Sequence, residues 1–162
     1  WTQNRYALSR RLWQALYIMK EFNPITEVEN SHLILDNGEW PNFHDAEILN
    51  INIWGGDIRP DDNVYIGPQL EIDLELCALM EPYIVTLKFY DCSCIDIGNF
   101  IHQNSIYYLE FEFEERGFYK NSEPLPPHIV VKFTKGLGAE ITLKCFRIEA
   151  IGQREIENNR NV

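Results

Sequence analysis

The sequence predicts a mainly β, antiparallel domain, a sandwich or strongly curved sheet, with one N-terminal helix packed against it. Three observations carry this expectation. Several segments after Pro24 alternate apolar and polar residues, the period of a strand with one buried face. The connections between them show no strong helical pattern, which disfavours the crossovers of a parallel sheet. Only the first 22 residues carry a helical stripe.

That stripe is Leu8, Leu12, Leu16 and Met19, widened by Trp13 and Tyr17, with Ser9, Arg10 and Gln14 off it. Asn23-Pro24 is expected to end the helix, because proline disfavours helix at the preceding residue. The first strand signal is Glu47 to Trp54, with Leu49, Ile51 and Ile53 on one side and Asn50 and Asn52 on the other, closed by Gly55-Gly56. Leu70 to Leu76 alternates with Glu71, Asp73 and Glu75 outward. Val85, Leu87 and Phe89 continue with Lys88 opposite. Leu109, Phe111 and Phe113 alternate with Glu110, Glu112 and Glu114. Ile129, Val131 and Phe133 follow with Lys132 opposite, then Ile141, Leu143 and Cys145 with Lys144 opposite. Pro68, Pro82, Pro124, Pro126 and Pro127 fall between these strands, where a missing N–H does no harm. Residues 116–128 read as a long exposed loop. The expected organisation is a helix over 1–22, a β domain over 32–152 and a polar tail over 153–162.

The chain has 162 residues, enough to bury roughly two thirds of its unfolded surface without disulfide staples. No apolar run approaches the roughly 18 residues of a membrane span, so no membrane association is expected. Its cysteines, Cys77, Cys92, Cys94 and Cys145, form no C-x-x-C pair, and reduced thiols in a cytoplasmic protein are expected. On a regular strand Cys92 and Cys94 point the same way.

Charge is unevenly spread. From Glu39 to Glu115 there are sixteen acidic residues and two basic ones, Arg59 and Lys88, whereas the first twenty residues hold Arg5, Arg10, Arg11 and Lys20 and no acid. Such a block repels nucleic acid, whose binding needs a basic surface, and attracts a cationic partner. A role in solubility alone remains the bland alternative. The outward carboxylates Glu71, Asp73, Glu75, Glu110, Glu112 and Glu114 are the candidate contacts, with Tyr107 and Trp54 as aromatic anchors; Tyr65 and Phe118 are further candidates. Glu opposite Lys across a ladder is stabilising and like charges are not. The 71/73/75 strand should therefore neighbour the Lys88 strand, and the 110/112/114 strand the Lys132 strand. The two acidic-then-basic pairs also echo one another, as two copies of a hairpin or by chance.

The densest polar motif is Trp40-Pro-Asn-Phe-His44-Asp45-Ala-Glu47. Together with His102, its His44, Asp45 and Glu47 are the residues that a small metal-dependent enzyme would use, if they converged. On a strand, Asp45 and Glu47 face away from His44, so a structural role at a strand entry is the stronger reading. No H-E-x-x-H, P-loop or G-x-S-x-G is present, so no cofactor, no metal and no catalysis are expected.

The order Trp40-Pro-x-Phe-His-Asp-Ala-Glu-Ile48, Phe100-x-His-Gln-Asn104, Gly136-Leu and Lys144-Cys-Phe with Ile148 resembles the immunity protein 50 family of bacterial polymorphic toxin systems, over roughly residues 40–151. The resemblance implies a small cytoplasmic protein that binds and neutralises a cognate toxin; the acidic block, whose carboxylates can imitate phosphate, makes a basic nuclease a candidate for that toxin. A structural or regulatory β domain remains the alternative without a toxin.

Overall fold

The computed structural model describes residues 20–59, 64–76 and 81–156. The expected helix over 1–22 therefore lies outside the described residues, apart from Lys20, Glu21 and Phe22. Asn23-Pro24 starts a helix here. The Asn23 side chain accepts from the Ile25 N–H and Pro24 occupies the first turn of α1 (Pro24–Glu27), because an Asn cap followed by proline is also a start signal. A 3-10 turn follows at Ser31–Leu33.

The rest is β. The strands are β1 (Glu47–Trp54), β2 (Asp57–Ile58), β3 (Tyr65–Ile66), β4 (Gln69–Leu76), β5 (Tyr83–Tyr90), β6 (Ser93–Gly98), β7 (Ser105–Glu114), β8 (His128–Leu137), β9 (Glu140–Cys145) and β10 (Arg147–Glu155). β2 and β3 form a small hairpin, and the other eight form one antiparallel sheet in the order β10-β5-β4-β1-β7-β8-β9-β6. Among the described residues no helix is long and apolar enough to cross a membrane.

The sheet folds back on itself. β1 and β7 share a single paired position, Glu47 with Ser105. Phe89 of β5 and Phe133 of β8 have ring centroids 6.1 Å apart. Four strand spacings of a flat sheet would separate β5 from β8 by about 19 Å. The halves β10-β5-β4-β1 and β7-β8-β9-β6 must therefore face one another, as a sandwich hinged at β1–β7. Two continuous segments cross between the halves, β5 into β6 and β9 into β10, and the Phe146 N–H donates to the Tyr90 carbonyl where they meet.

The alternating residues supply the core. Leu70, Ile72 and Leu74 of β4, Val85 and Leu87 of β5, and Ile141 and Leu143 of β9 are all fully buried. β1 departs from its expected pattern. A bulge between Ile48 and Asn50 makes Leu49 the extra residue, so Ile48 is buried and Leu49 is exposed. Another irregularity, between Ser93 and Asp96 with Cys94 at φ 52°, leaves Cys92 buried and Cys94 exposed, not on one side. Burial pushes the Cys92 thiol up to about 11 and raises Cys145 further. All three described cysteines are free. β10 runs to Glu155, three residues past the expected boundary at 152, and Glu29 bridges to Glu149 beside it.

Candidate functional site

The Trp40–Ala46 segment is a corner leading into β1, not a strand. Phe43 and Ala46 are buried, and Trp40 packs against Phe43 and Phe111 at 5.8 and 6.1 Å. The Asp45 N–H donates to the Ile106 carbonyl, the Ile106 N–H to the Ala46 carbonyl, and the Ile48 N–H to the Asn104 carbonyl. These bonds stitch the segment onto the start of β7. Asp45 is left-handed at φ 63°. This turns its carboxylate onto the His44 imidazole at 2.9 Å, so the two side chains do not point apart as a strand would require.

His44 leans over a tyrosine pair. Its ring centroid lies 5.6 Å from Tyr107 and 6.0 Å from Tyr108, and the two tyrosines are 6.3 Å apart. The ladder register shifts between Ile106 and Tyr108, which makes Tyr107 the inserted residue. Without the bulge one tyrosine would face the core; with it, both are exposed, at 47% and 59%. A groove of about 150 Å³ runs along this patch, lined also by Trp40, Asn42 and Leu109. Chemically it offers aromatic faces, two phenol hydroxyls, an imidazole and the Asp45 carboxylate.

Convergence on a metal is a different matter. Among the described residues no group of three or more His, Cys, Asp or Glu side chains is placed to hold one. Glu47 lies opposite Glu75 and Ser105, and His102 is exposed in the loop before β7.

The acidic strands sit as the charge argument requires. β4 pairs with β5, Glu71 opposite Lys88, and β7 pairs with β8, Glu110 opposite Lys132, with β1 between the two acidic strands. Lys132 contacts Glu112 at 2.8 Å and Lys144 contacts Glu114 at 2.6 Å. Thr134 donates to Glu110. The Lys144 hydrogen bond holds the Glu114 carboxyl below its ordinary value. Asp73 accepts from Thr86 at 2.6 Å and from Arg154 at 3.0 Å. Burial alone would raise its carboxyl, but these donors outweigh burial and lower it. Glu75 instead faces Glu47 across the β1–β4 ladder. Much of the acidic block is thus compensated within the fold. Trp54 is 43% exposed at the end of β1, and Tyr65 is exposed on the β2–β3 hairpin.

A scan against protein-family models, a search of curated proteins and a search of solved structures return no match to this chain.

Two features of this region escape an alternation-based reading. One is Tyr108, whose exposure depends on the bulge; the signal was the tandem Tyr107-Tyr108 before Leu109, which breaks the period of two. The other is Asn104, only 2% exposed. Its Oδ1 accepts from the Ile101 and Ala139 N–H groups and its Nδ2 donates to the Ile101 carbonyl. It ties the loop after β6 to the β8–β9 turn. There Gly138, at φ +78°, leaves no room for a Cβ, which would sit 2.6 Å from Asn104 Oδ1. In this motif the asparagine is the structural member and His102 is the solvent-facing one.

Proposed function

We propose that this protein is an immunity protein, acting in the cytoplasm, that binds and neutralises a cognate bacterial toxin without catalysis. The observation that carries the reading is the exposed His44, Tyr107 and Tyr108 patch, presented by the Trp40–Ala46 corner and the Tyr107 bulge. Interface hot spots are enriched in tyrosine and tryptophan, set in a rim that excludes water. Asp45 lies beside His44 in this patch, and Glu110 follows Tyr108 by two residues along β7, a negative bias suited to a basic toxin site. Charge of this kind chiefly raises the association rate and selects the partner. The ordered resemblance over residues 40–151 supports the same reading, since its Phe43-His44-Asp45-Ala46-Glu47 element builds this corner.

The test is to ask whether a neighbouring gene encodes a toxin and, where one does, to co-express the two. The protein should restore growth and co-purify with the toxin. Tyr107→Ala with Tyr108→Ala should weaken the complex by at least about a hundredfold, the scale of two hot-spot side chains, with an unchanged circular dichroism spectrum. Absence of both rescue and complex would sink the proposal.

A further inference from the structure

The groove beside His44 is small, and its size narrows what it can take. It measures about 150 Å³, where pockets for metabolites and cofactors run to roughly 300–1,000 Å³. That is room for one long side chain. Its aromatic walls stand at angles to one another. The Tyr107 and Tyr108 rings are tilted by 41°, and His44 is tilted by 43° to the first and stands edge-on, at 74°, to the second. Rings splayed in this way make a cup, not the flat platform on which successive bases stack. The tyrosine centroids are 6.3 Å apart, so one cation can lie within about 6 Å of both, the reach of a cation–π contact. His44 closes the third side, 5.6 and 6.0 Å from them.

A carboxylate stands at the rim. The Asp45 side chain is 66% exposed, and its Oδ2 lies 2.9 Å from the His44 Nδ1. An ionised carboxylate accepts up to about four hydrogen bonds, so this contact leaves it capacity for more. The acids of β7 are differently placed. Glu110 accepts from Thr134, Glu112 contacts Lys132 and Glu114 contacts Lys144. Asp45 thus combines an exposed carboxylate with neighbouring aromatic rings, and neither lysine reaches it.

We propose that this groove takes an arginine side chain of the protein partner, with the guanidinium against the Tyr107 and Tyr108 rings and its N–H groups donating to Asp45. The proposal rests on the immunity reading for the partner, and adds the anchor which that partner presents. Arginine suits the cup better than lysine. A guanidinium is flat and weakly hydrated, lies on an aromatic face and still directs several N–H donors at a carboxylate. An ammonium is a compact, strongly hydrated point charge. Charge complementarity selects the class of partner. With a net charge of −11 on the chain and Asp45 at the rim, a phosphate backbone is repelled and a basic polypeptide surface is drawn in.

The test needs no toxin. Acetyl-Gly-Arg-Gly-amide is titrated into the full chain, beside its lysine and citrulline counterparts, and the ring signals of His44, Tyr107 and Tyr108 are followed by NMR. The arginine peptide should shift them saturably, with a dissociation constant on the order of 10 mM or tighter for so small a ligand. Citrulline keeps the shape and loses the charge, and should bind at least about fivefold more weakly. Asp45→Asn should weaken the arginine peptide by a similar factor with the backbone retained, because asparagine tolerates the left-handed φ of 63° at this position. Glu123→Gln removes an exposed acid from the 116–128 loop and should leave binding unchanged. Equal binding of the citrulline peptide, a preference for lysine, or equal weakening by Asp45→Asn and Glu123→Gln overturns the inference. So does the absence of any shift. None of these results bears on rescue from a toxin, and failure of rescue with the arginine site intact counts against the immunity reading alone.

Discussion

Asn104 shows how one polar side chain fixes a local geometry. Its amide meets two backbone N–H groups and one carbonyl from two separate loops. Asn104→Ala strands the N–H of the fully buried Ala139 and that of the partly exposed Ile101, at about 1–3 kcal/mol for a group denied water. A loss of about 2–4 kcal/mol in urea denaturation is expected, with the β6–β7 loop exchanging amide hydrogens faster than the rest of the sheet. Asp73 gives a residue-scale pH dependence. Its folded carboxyl lies below its ordinary value of 3.8. The ionised form is therefore favoured by folding, and this stabilisation is complete above the ordinary value and fades as the pH falls through the lower, folded one. In Asp73→Asn that contribution is gone, so the urea midpoint should fall less steeply below about pH 4 than in the parent. Equal slopes would mean that Thr86 and Arg154 do not favour the ionised Asp73.

At the level of elements, Phe22 joins the chain before α1 to the sheet. Its ring lies 5.1 Å from Phe111 and 5.2 Å from Phe113, and the Lys20 ammonium sits 5.1 Å over the Phe113 ring. Phe22→Ala should cost about 3 kcal/mol by emptying that aromatic cluster, read as a shift of the urea midpoint with an unchanged slope. This contact was invisible in the sequence, where Phe22 falls after the last stripe residue and before a proline. The strands divide similarly. β4 and β9 were legible because each keeps strict alternation over a face that is buried along its length, and β8 through Ile129, Val131 and Phe133, although Val130 is buried as well and the strand's end at Leu137 is exposed. β6 was not, since Cys94 takes a left-handed conformation and breaks the period. Nor was β10, whose inward positions include the small Ala150 before an irregularity at Gly152. Leu49, which alternation places on the inward face, and Tyr107, a candidate aromatic anchor, both prove to be inserted residues. A bulge flips the faces beyond it, which the composition of a strand does not record. Of the candidate site, the charge pairing of acidic with basic strands was legible from ladder electrostatics. The meeting of His44 with Tyr107 and Tyr108 was not, because it joins a corner to a bulge far along the chain.

At the scale of the whole molecule, the two half-sheets cannot melt separately. β5 and β6 are one continuous run through both halves, as are β9 and β10, and the half-sheets share one core through Phe89 and Phe133. Opening one half would strip the other of its buried face and of the corner bond between Phe146 and Tyr90. The stability of each half therefore depends on the other, the condition for a single cooperative transition in a domain of this size. Urea unfolding followed by tryptophan fluorescence and by far-ultraviolet circular dichroism should give coincident curves. The slowest-exchanging amides of β4 and β5 should share one opening free energy with those of β8 and β9. Phe133→Ala should lower all of these together, by about 3–5 kcal/mol, although Phe133 belongs to only one half. Separation of the curves, or loss of protection in β8 and β9 alone, would show that the hinge at Glu47 and Ser105 divides the fold into independent units.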